Sequence, residues 1–169
     1  MSDLEHNQDE GHWQDEAYWH GFVVSSDPRR LDLERVHSFL TRTSWGGEYT
    51  LEGIRQAAQH SKPFGIFEGE VQVGYARVVT DYTHTAWLAD VFILESHRGR
   101  GLAKFLLRTL LEHPRLQTVK WLLTTDDAHD LYAPFGFEAV NPAKFMIRLP
   151  QRHIREAVRQ LHRSKPTPF

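Results

Sequence analysis

The sequence predicts an α+β fold: a single domain built on one mixed, mostly antiparallel, twisted sheet flanked by helices. Three observations point there. Short runs rich in Val, Ile, Phe and Trp alternate with segments whose apolar residues recur at helical spacing. Strand candidates joined by a tight glycine turn stand beside strands separated by helical crossovers, so antiparallel and parallel pairings mix. The chain has 169 residues, 40% hydrophobic and 25% charged, which suits one compact domain with a real core. No internal repeat or second domain is visible. The boundaries expected are a mobile tail at 1–16, a domain at 17–150, and a C-terminal helix and tail at 151–169.

Residues 1–16, MSDLEHNQDEGHWQDE, are acidic and polar, without the apolar core of a signal peptide. WHGFVVSS (19–26) reads as the first strand, ended by Asp27-Pro28. Asp32 is placed to cap a helix whose apolar positions are Leu33, Val36, Phe39 and Leu40. TRTSWGG (41–47) breaks it. Thr50 is placed to cap a second helix with Leu51, Ile54, Ala57 and Ala58 on one face. FGIFEGEVQVGYARVVT (64–80) reads as a hairpin with Gly69 at its turn. TAWLADVFIL (85–94) is a dense apolar strand of the kind found in a sheet centre. After the turn that follows it, Leu102, Phe105, Leu106, Thr109 and Leu110 mark a helix ended by His113-Pro114. TVKWLLTT (118–125) is a further strand and DDAHDLYAPFG (126–136) a short helix stopped by glycine. FEAV and KFMIRLP read as a closing pair of strands. QRHIREAVRQLHR (151–163) reads as a basic helix, packed on the domain or facing a second copy in a homodimer.

Composition excludes several function classes. The net charge is -2 with histidines neutral, which argues against a general nucleic-acid binder. There are no cysteines, hence no disulfide, no thiolate metal site and no cysteine nucleophile, which fits a cytoplasmic location. The eleven histidines show no ligand spacing, so no metal is expected. No stretch approaches the ~20 apolar residues of a membrane span, so no membrane association is expected.

The chemically informative stretch is HRGRGLAKFLL (97–107). A strand feeding a glycine-rich turn and then a helix is built for an anion. The first N–H groups of a helix lack internal partners and point along the positive end of its dipole. Gly99 and Gly101 allow close approach and positive φ; Arg98 and Arg100 add charge. Pyrophosphate is the natural guest. The stretch lacks the spacing and hydroxyl of a P-loop. It also lacks the third glycine of a dinucleotide turn, where Lys104 stands. A solvated turn that merely ends a strand is the bland alternative.

Arg98-x-x-Gly101-x-Ala103, preceded by DVFILESH and followed by the LAKFLL helix, resembles the acetyl-CoA motif of the GNAT superfamily of N-acetyltransferases. LYAPFGF (131–137), some thirty residues on, resembles that family's second hallmark, a Tyr before Gly-Phe. The resemblance covers residues 19–149 and points to a subgroup of unassigned substrate. It implies the GNAT fold, and acetyl-CoA as donor to a primary amine of a small molecule or peptide. It implies that amides of Gly99, Arg100, Gly101, Leu102 and Ala103, with Arg98, hold the pyrophosphate. It implies that the Phe92-Ile93-Leu94 backbone holds the pantetheine arm, in a slot where this strand splays from its neighbour.

The reaction poses two proton problems. A lysine-like amine has a pKa of ~10.4 and arrives protonated, so a base must collect its proton. A leaving thiolate with a thiol pKa of ~8.5 benefits from an acid. The resemblance makes Tyr132 the acid, against the alternative of a packed core tyrosine. Asp90, a lone carboxylate in an apolar strand, is the base candidate, against a structural carboxylate paired with a cation such as Arg77. Alternation with Phe92 and Leu94 turns Asp90 away from the amine unless a bulge re-aims it. An Asn commonly precedes the last helix in this family; here Asp127 stands nearby, as a coenzyme contact or a helix cap. Trp45, Glu48, Asp81 and His84 lie in loops expected to border the acceptor pocket. The competing function is a non-catalytic module of the same fold that senses acyl-CoA.

Overall fold

The structure, a computed structural model, describes residues 16–43, 46–146 and 148. The chain divides into two compact units, one through Phe135 and one from Gly136. The first unit holds a six-stranded sheet in sequence order β1 to β6.

β1 (Glu16–Trp19) and β2 (Phe22–Ser25) form an antiparallel hairpin. The sequence predicts a single strand over 19–26. The chain instead reverses at His20 and Gly21, both at positive φ (47° and 83°), a two-residue turn of the kind that suits the strand twist. α1 (Leu33–Leu40) and α2 (Leu51–Gln59) follow. Both start where expected: the Asp32 side chain accepts from the Arg35 amide, and Thr50 Oγ1 from the Gly53 amide. β3 (Lys62–Glu68) and β4 (Val71–Thr80) form the expected hairpin, with Gly69 at φ 58° in the turn. β5 (Thr85–Ile93) pairs antiparallel with β4 and parallel with β6 (Lys120–Leu122). Between β5 and β6 run a 3-10 turn (Glu95–His97), α3 (Leu102–Leu111) and a second 3-10 turn (Pro114–Leu116). α4 (His129–Tyr132) and a 3-10 turn (Ala133–Phe135) end the unit.

The sheet is covered on both faces. On one, Val36, Phe39 and Leu40 of α1 and Ile54 of α2 cluster with Tyr75 of β4 and Phe92 of β5. Phe39 stacks on Phe92, with ring centroids 4.0 Å apart. The other face carries Phe64 opposite Ala76, and Phe64 meets His113, just beyond α3, edge to face at 6.1 Å. Leu102, Leu106, Leu107 and Leu110 of α3 are all buried. Each contributes about 1.5–3 kcal/mol relative to an exposed position, which pins the start of α3 against the sheet.

The expected closing strands do not form where the chain is described, and the end of the second, at 147, 149 and 150, lies outside the described residues. Among the described residues of 137–148 no strand forms; a 3-10 turn covers Pro142–Lys144. Val140, Phe145 and Met146 stay exposed, so the apolar positions that suggested strands have no buried face to fix a register. Pro142 also removes a ladder donor. The expected strand at 118–125 is shorter, 120–122. The basic C-terminal helix and all but the last residue of the acidic tail lie outside the described residues.

Candidate active site

β5 and β6 pair only at Thr85–Lys120, Ala86–Trp121 and Trp87–Leu122. β6 stops there, while β5 continues to Ile93. From Leu88 onward β5 has β4 on one side and, among the described residues, no strand on the other. The two strands are parallel, so the segments leaving them depart at the same edge of the sheet. One leads to the glycine turn and α3, the other to α4 and Tyr132. Open α/β arrangements take ligands at such strand ends.

The glycine turn has the geometry of an anion seat. Gly99 and Gly101 both have positive φ (73° and 80°), and Gly101 is the N-cap of α3 without any side-chain cap. The first intrahelical bond runs from the Phe105 amide to the Gly101 carbonyl, which leaves the amides of Leu102, Ala103 and Lys104 without intrahelical acceptors. Neither arginine stands loose. Arg98 Nε donates to the Ile93 carbonyl at 3.2 Å. The Arg100 guanidinium lies over the Phe22 ring at 4.7 Å and 3.5 Å from Glu68. Glu68 also accepts from His97 Nε2 at 3.1 Å, and the hydrogen bond from His97 is the main reason its carboxyl sits below the usual range. Glu68 thus ties the β3–β4 hairpin to both sides of the turn. From β1, Trp19 packs under Gly101 and beside Phe105.

The backbone of Leu94 is already committed. Its amide donates to Val73 at 2.8 Å and its carbonyl accepts from His97 at 2.9 Å. Strand alternation then turns the backbone groups of Ile93, next to it, toward the unpaired side of β5. Phe92 stands opposite Tyr75, so its amide belongs to the β4 ladder and its ring to the α1–α2 face.

Asp90 sits in a bulge. The β4–β5 register runs Tyr75–Phe92 and then Arg77–Ala89, so β5 carries one extra residue, and Asp90 has φ 55°. Bulges re-aim side chains. Here the carboxylate turns onto Arg77, whose Nε donates to Oδ2 at 2.6 Å; the two side chains are 16% and 8% exposed. The structural pairing weighed from the sequence is therefore made, on the α1–α2 face. Tyr49, in the α1–α2 connection, is close enough that burial first, and then Asp90, raise its phenol against the opposing Arg77.

Tyr132 is 8% exposed. Burial, and after it the Asp127 charge, push its phenol above the ordinary tyrosine value, so it stays protonated at neutral pH. Asp127 does not cap α4: the N-cap is Ala128, and Thr125 Oγ1 accepts the Ala128 amide at 3.0 Å. A hydroxyl two residues earlier reaches what the carboxylate does not.

The residues expected at the acceptor pocket scatter. Trp45 lies outside the described residues. Glu48 is exposed, beside Tyr49. Asp81 and His84 belong to the β4–β5 turn, at the opposite end of β5 from the glycine turn. Asp81 accepts the amides of Thr83, His84 and Thr85 and faces His84 Nδ1 at 3.3 Å. Those backbone bonds hold its carboxyl far below the usual range, as a turn-closing group. Three residues that the sequence did not single out shape the site: Trp19, Glu68 and Tyr75. The available signal for Tyr75 was its period-2 relation to Arg77 on one strand.

Among the described residues, no three His, Asp or Glu side chains gather to hold a metal ion, and no helix is long and apolar enough to cross a membrane.

Comparison with known proteins fits this geometry. Residues 31–137 match the model of the acetyltransferase (GNAT) family. A Gibberella zeae protein, FG08082, named as a candidate acetyltransferase, is 30% identical over 132 residues, 64% of this chain and 74% of that one. A crystal structure of a candidate GNAT acetyltransferase from Xanthomonas campestris pv. campestris is 40% identical, with a TM-score of 0.74 over 76% of this chain and 93% of that one. A Streptococcus pneumoniae GNAT-family protein, 22% identical, shares the fold at a TM-score of 0.58 over 76% and 96% of the two chains. The parted parallel strands, the uncapped helix start and the family match over most of the domain lead to one conclusion: the chain belongs to the GNAT family of acetyltransferases.

Proposed function

We propose that the protein transfers an acetyl group from acetyl-CoA to a primary amine of a small molecule or peptide, by direct attack on the thioester. The observation that carries this reading is the edge of the sheet where β5 and β6 part. Three features follow from that edge: an open side of β5, an uncapped helix N-terminus after β5, and the helix bearing Tyr132 after β6. The absence of cysteine suits work in a reducing cytoplasm.

The amides of Gly99 through Ala103, with Lys104, receive the pyrophosphate; Arg98 and Arg100 add field, both tethered to the protein. The Ile93 amide faces the slot and is offered to the pantetheine arm, while its carbonyl accepts from Arg98. An amide in the bulge before Phe92 polarises the thioester carbonyl, a contribution of the oxyanion type. Asp90 retains a second oxygen, Oδ1, beyond its bond to Arg77. That oxygen holds the incoming ammonium, and water takes up the proton the amine gives up. The amine nitrogen then forms a bond to the acetyl carbon as the carbon–sulfur bond breaks. Tyr132 gives its phenolic proton to the departing sulfur and recovers one from solvent. Its raised pKa keeps the donor form available.

Thiol release from acetyl-CoA with a broad panel of amines tests the reading. Amine-dependent release at steady turnover supports it. Tight acetyl-CoA binding without release by any amine overturns it in favour of a sensing module.

A further inference from the structure

Among the described residues, one buried side-chain polar atom lacks a hydrogen-bond partner: the Tyr75 hydroxyl, on a residue 1% exposed. Folded proteins seldom leave such a group unmatched, and a missing ligand is a standard reason. Burial raises its phenol well above the usual tyrosine value, and the two charges that act on it are Arg77 and Asp90. The hydroxyl is therefore neutral, and it sits near that ion pair.

The pair itself is incomplete. Arg77 uses only Nε, and Asp90 only Oδ2, in the bond that joins them. The guanidinium keeps two terminal nitrogens with four N–H donors, and the carboxylate keeps Oδ1. The Arg77 and Asp90 side chains keep 16% and 8% of their surface exposed, so the pair borders accessible space. Tyr75 and Arg77 share one face of β4 by alternation, and the bulge brings Asp90 to that same face. Tyr49 lies within the field of both charges. One cation edge, one anion edge and one neutral hydroxyl thus share a face of the sheet.

That combination selects against simple ions. A purely cationic amine on Oδ1 meets the like charge of Arg77. A simple anion on the guanidinium meets Asp90. A molecule with both groups a few bonds apart satisfies both and supplies an acceptor for the hydroxyl. We propose that the acceptor is a zwitterionic amine, an amino acid or a closely related amino-carboxylate. Its ammonium lies on Asp90 Oδ1, and its carboxylate on the terminal nitrogens of Arg77 and the Tyr75 hydroxyl. The proposal rests on the acetyl-transfer reading for its chemistry, but binding can be read without turnover.

The test is calorimetric titration of the enzyme saturated with coenzyme A, using matched pairs: phenylalanine against phenethylamine, and alanine against ethylamine. The amino-carboxylate of each pair should bind at least ten-fold tighter. Arg77→Lys, which keeps a charge for Asp90 but loses the fork, should erase that preference. Tyr75→Phe should weaken amino-carboxylate binding five-fold or more while the melting temperature holds or rises, because it removes a hydroxyl with no protein partner. Equal or tighter binding of the decarboxylated amines overturns the proposal. So does an unchanged affinity in Tyr75→Phe, or failure of both members of every pair to bind. Should acetylation instead favour decarboxylated amines, the acetyl-transfer reading stands and this one falls. Should amino-carboxylates bind as expected but never release thiol, the site stands and the transfer reading falls.

Discussion

The Trp19 indole occupies the space into which a side chain at Gly101 would grow: its Cη2 lies 3.0 Å from the place a Cβ would take. Gly101 also has φ 80°, a region that costs an L-residue about 1–2 kcal/mol. The glycine turn thus rests on a ring from the far edge of the sheet. Gly99 differs. It shares the positive φ but has nothing within 4 Å of its Cβ direction.

Gly101→Val should therefore lower both stability and coenzyme affinity, the latter by at least ten-fold. Gly99→Ala should cost only the backbone strain of about 1–2 kcal/mol. Thermal unfolding and calorimetry with coenzyme A measure both. Trp19→Leu should partly restore Gly101→Ala if the ring is the obstacle. An unchanged coenzyme affinity in folded Gly101→Val would remove the anion-seat reading.

Tyr132→Phe keeps the ring and removes the proton donor. Turnover should fall about 10²–10⁴-fold with acetyl-CoA affinity little changed. The effect should shrink with an acyl donor whose thiol has a lower pKa. The phenol is raised by burial and then by Asp127, so Asp127→Asn should bring the alkaline loss of activity to lower pH. A raised phenol also implies a sign for stability. The folded state keeps its proton longer than the unfolded one, so this contribution is whole below pH 10 and declines as pH rises above it. Parental turnover in Tyr132→Phe, with chemistry limiting, removes the acid role.

Asp90→Asn separates two duties. Asn tolerates the positive φ of the bulge, so the backbone should persist. The charge on Arg77 loses its partner, and breaking a buried pair typically costs about 3–5 kcal/mol; the residual exposure of this pair puts the expected value at or below the lower end. Turnover per folded molecule should fall with coenzyme affinity intact. Stability loss alone, with turnover per folded molecule unchanged, would show that the carboxylate serves only the fold.

Glu68→Gln should loosen the turn without touching its amides. Coenzyme affinity is expected to drop three- to ten-fold, with kcat nearly constant. The Glu68 carboxyl is lowered chiefly by His97. Its contribution is therefore present above the ordinary carboxylate value and lost as pH falls through the lower folded value. Affinity measured from pH 6 down to pH 3 should show that loss in the parent and not in the variant.

How far the sequence spoke depends on how local each feature is. The caps at Asp32 and Thr50 follow from a side chain reaching three residues along its own chain, and both formed. The glycine turn was equally legible, since strand, turn and helix are contiguous. The β1–β2 hairpin escaped notice because WHGFVVSS offers no polar break, only a backbone reversal at His20-Gly21. The Asp90 bulge is a mismatch of count between two strands and is invisible in either alone. The same is true of Leu94, whose amide and carbonyl are spent on Val73 and His97. The closing strands failed for the opposite reason: Val140, Phe145 and Met146 carry apolar character without a surface to bury it against.

The short pairing of β5 with β6 has a thermodynamic consequence. Among the described residues no strand lies beside Leu88–Ile93 on the side away from β4, and backbone donors facing that side gain a partner when something extended lies alongside. A guest that fits adds bonds the empty domain cannot make, so it binds the folded chain and not the unfolded one. At a hundred times its Kd it adds about 2.7 kcal/mol. The melting temperature of this protein is then a gauge: it rises with the logarithm of the guest's concentration, and the strand that completes the sheet arrives from solution.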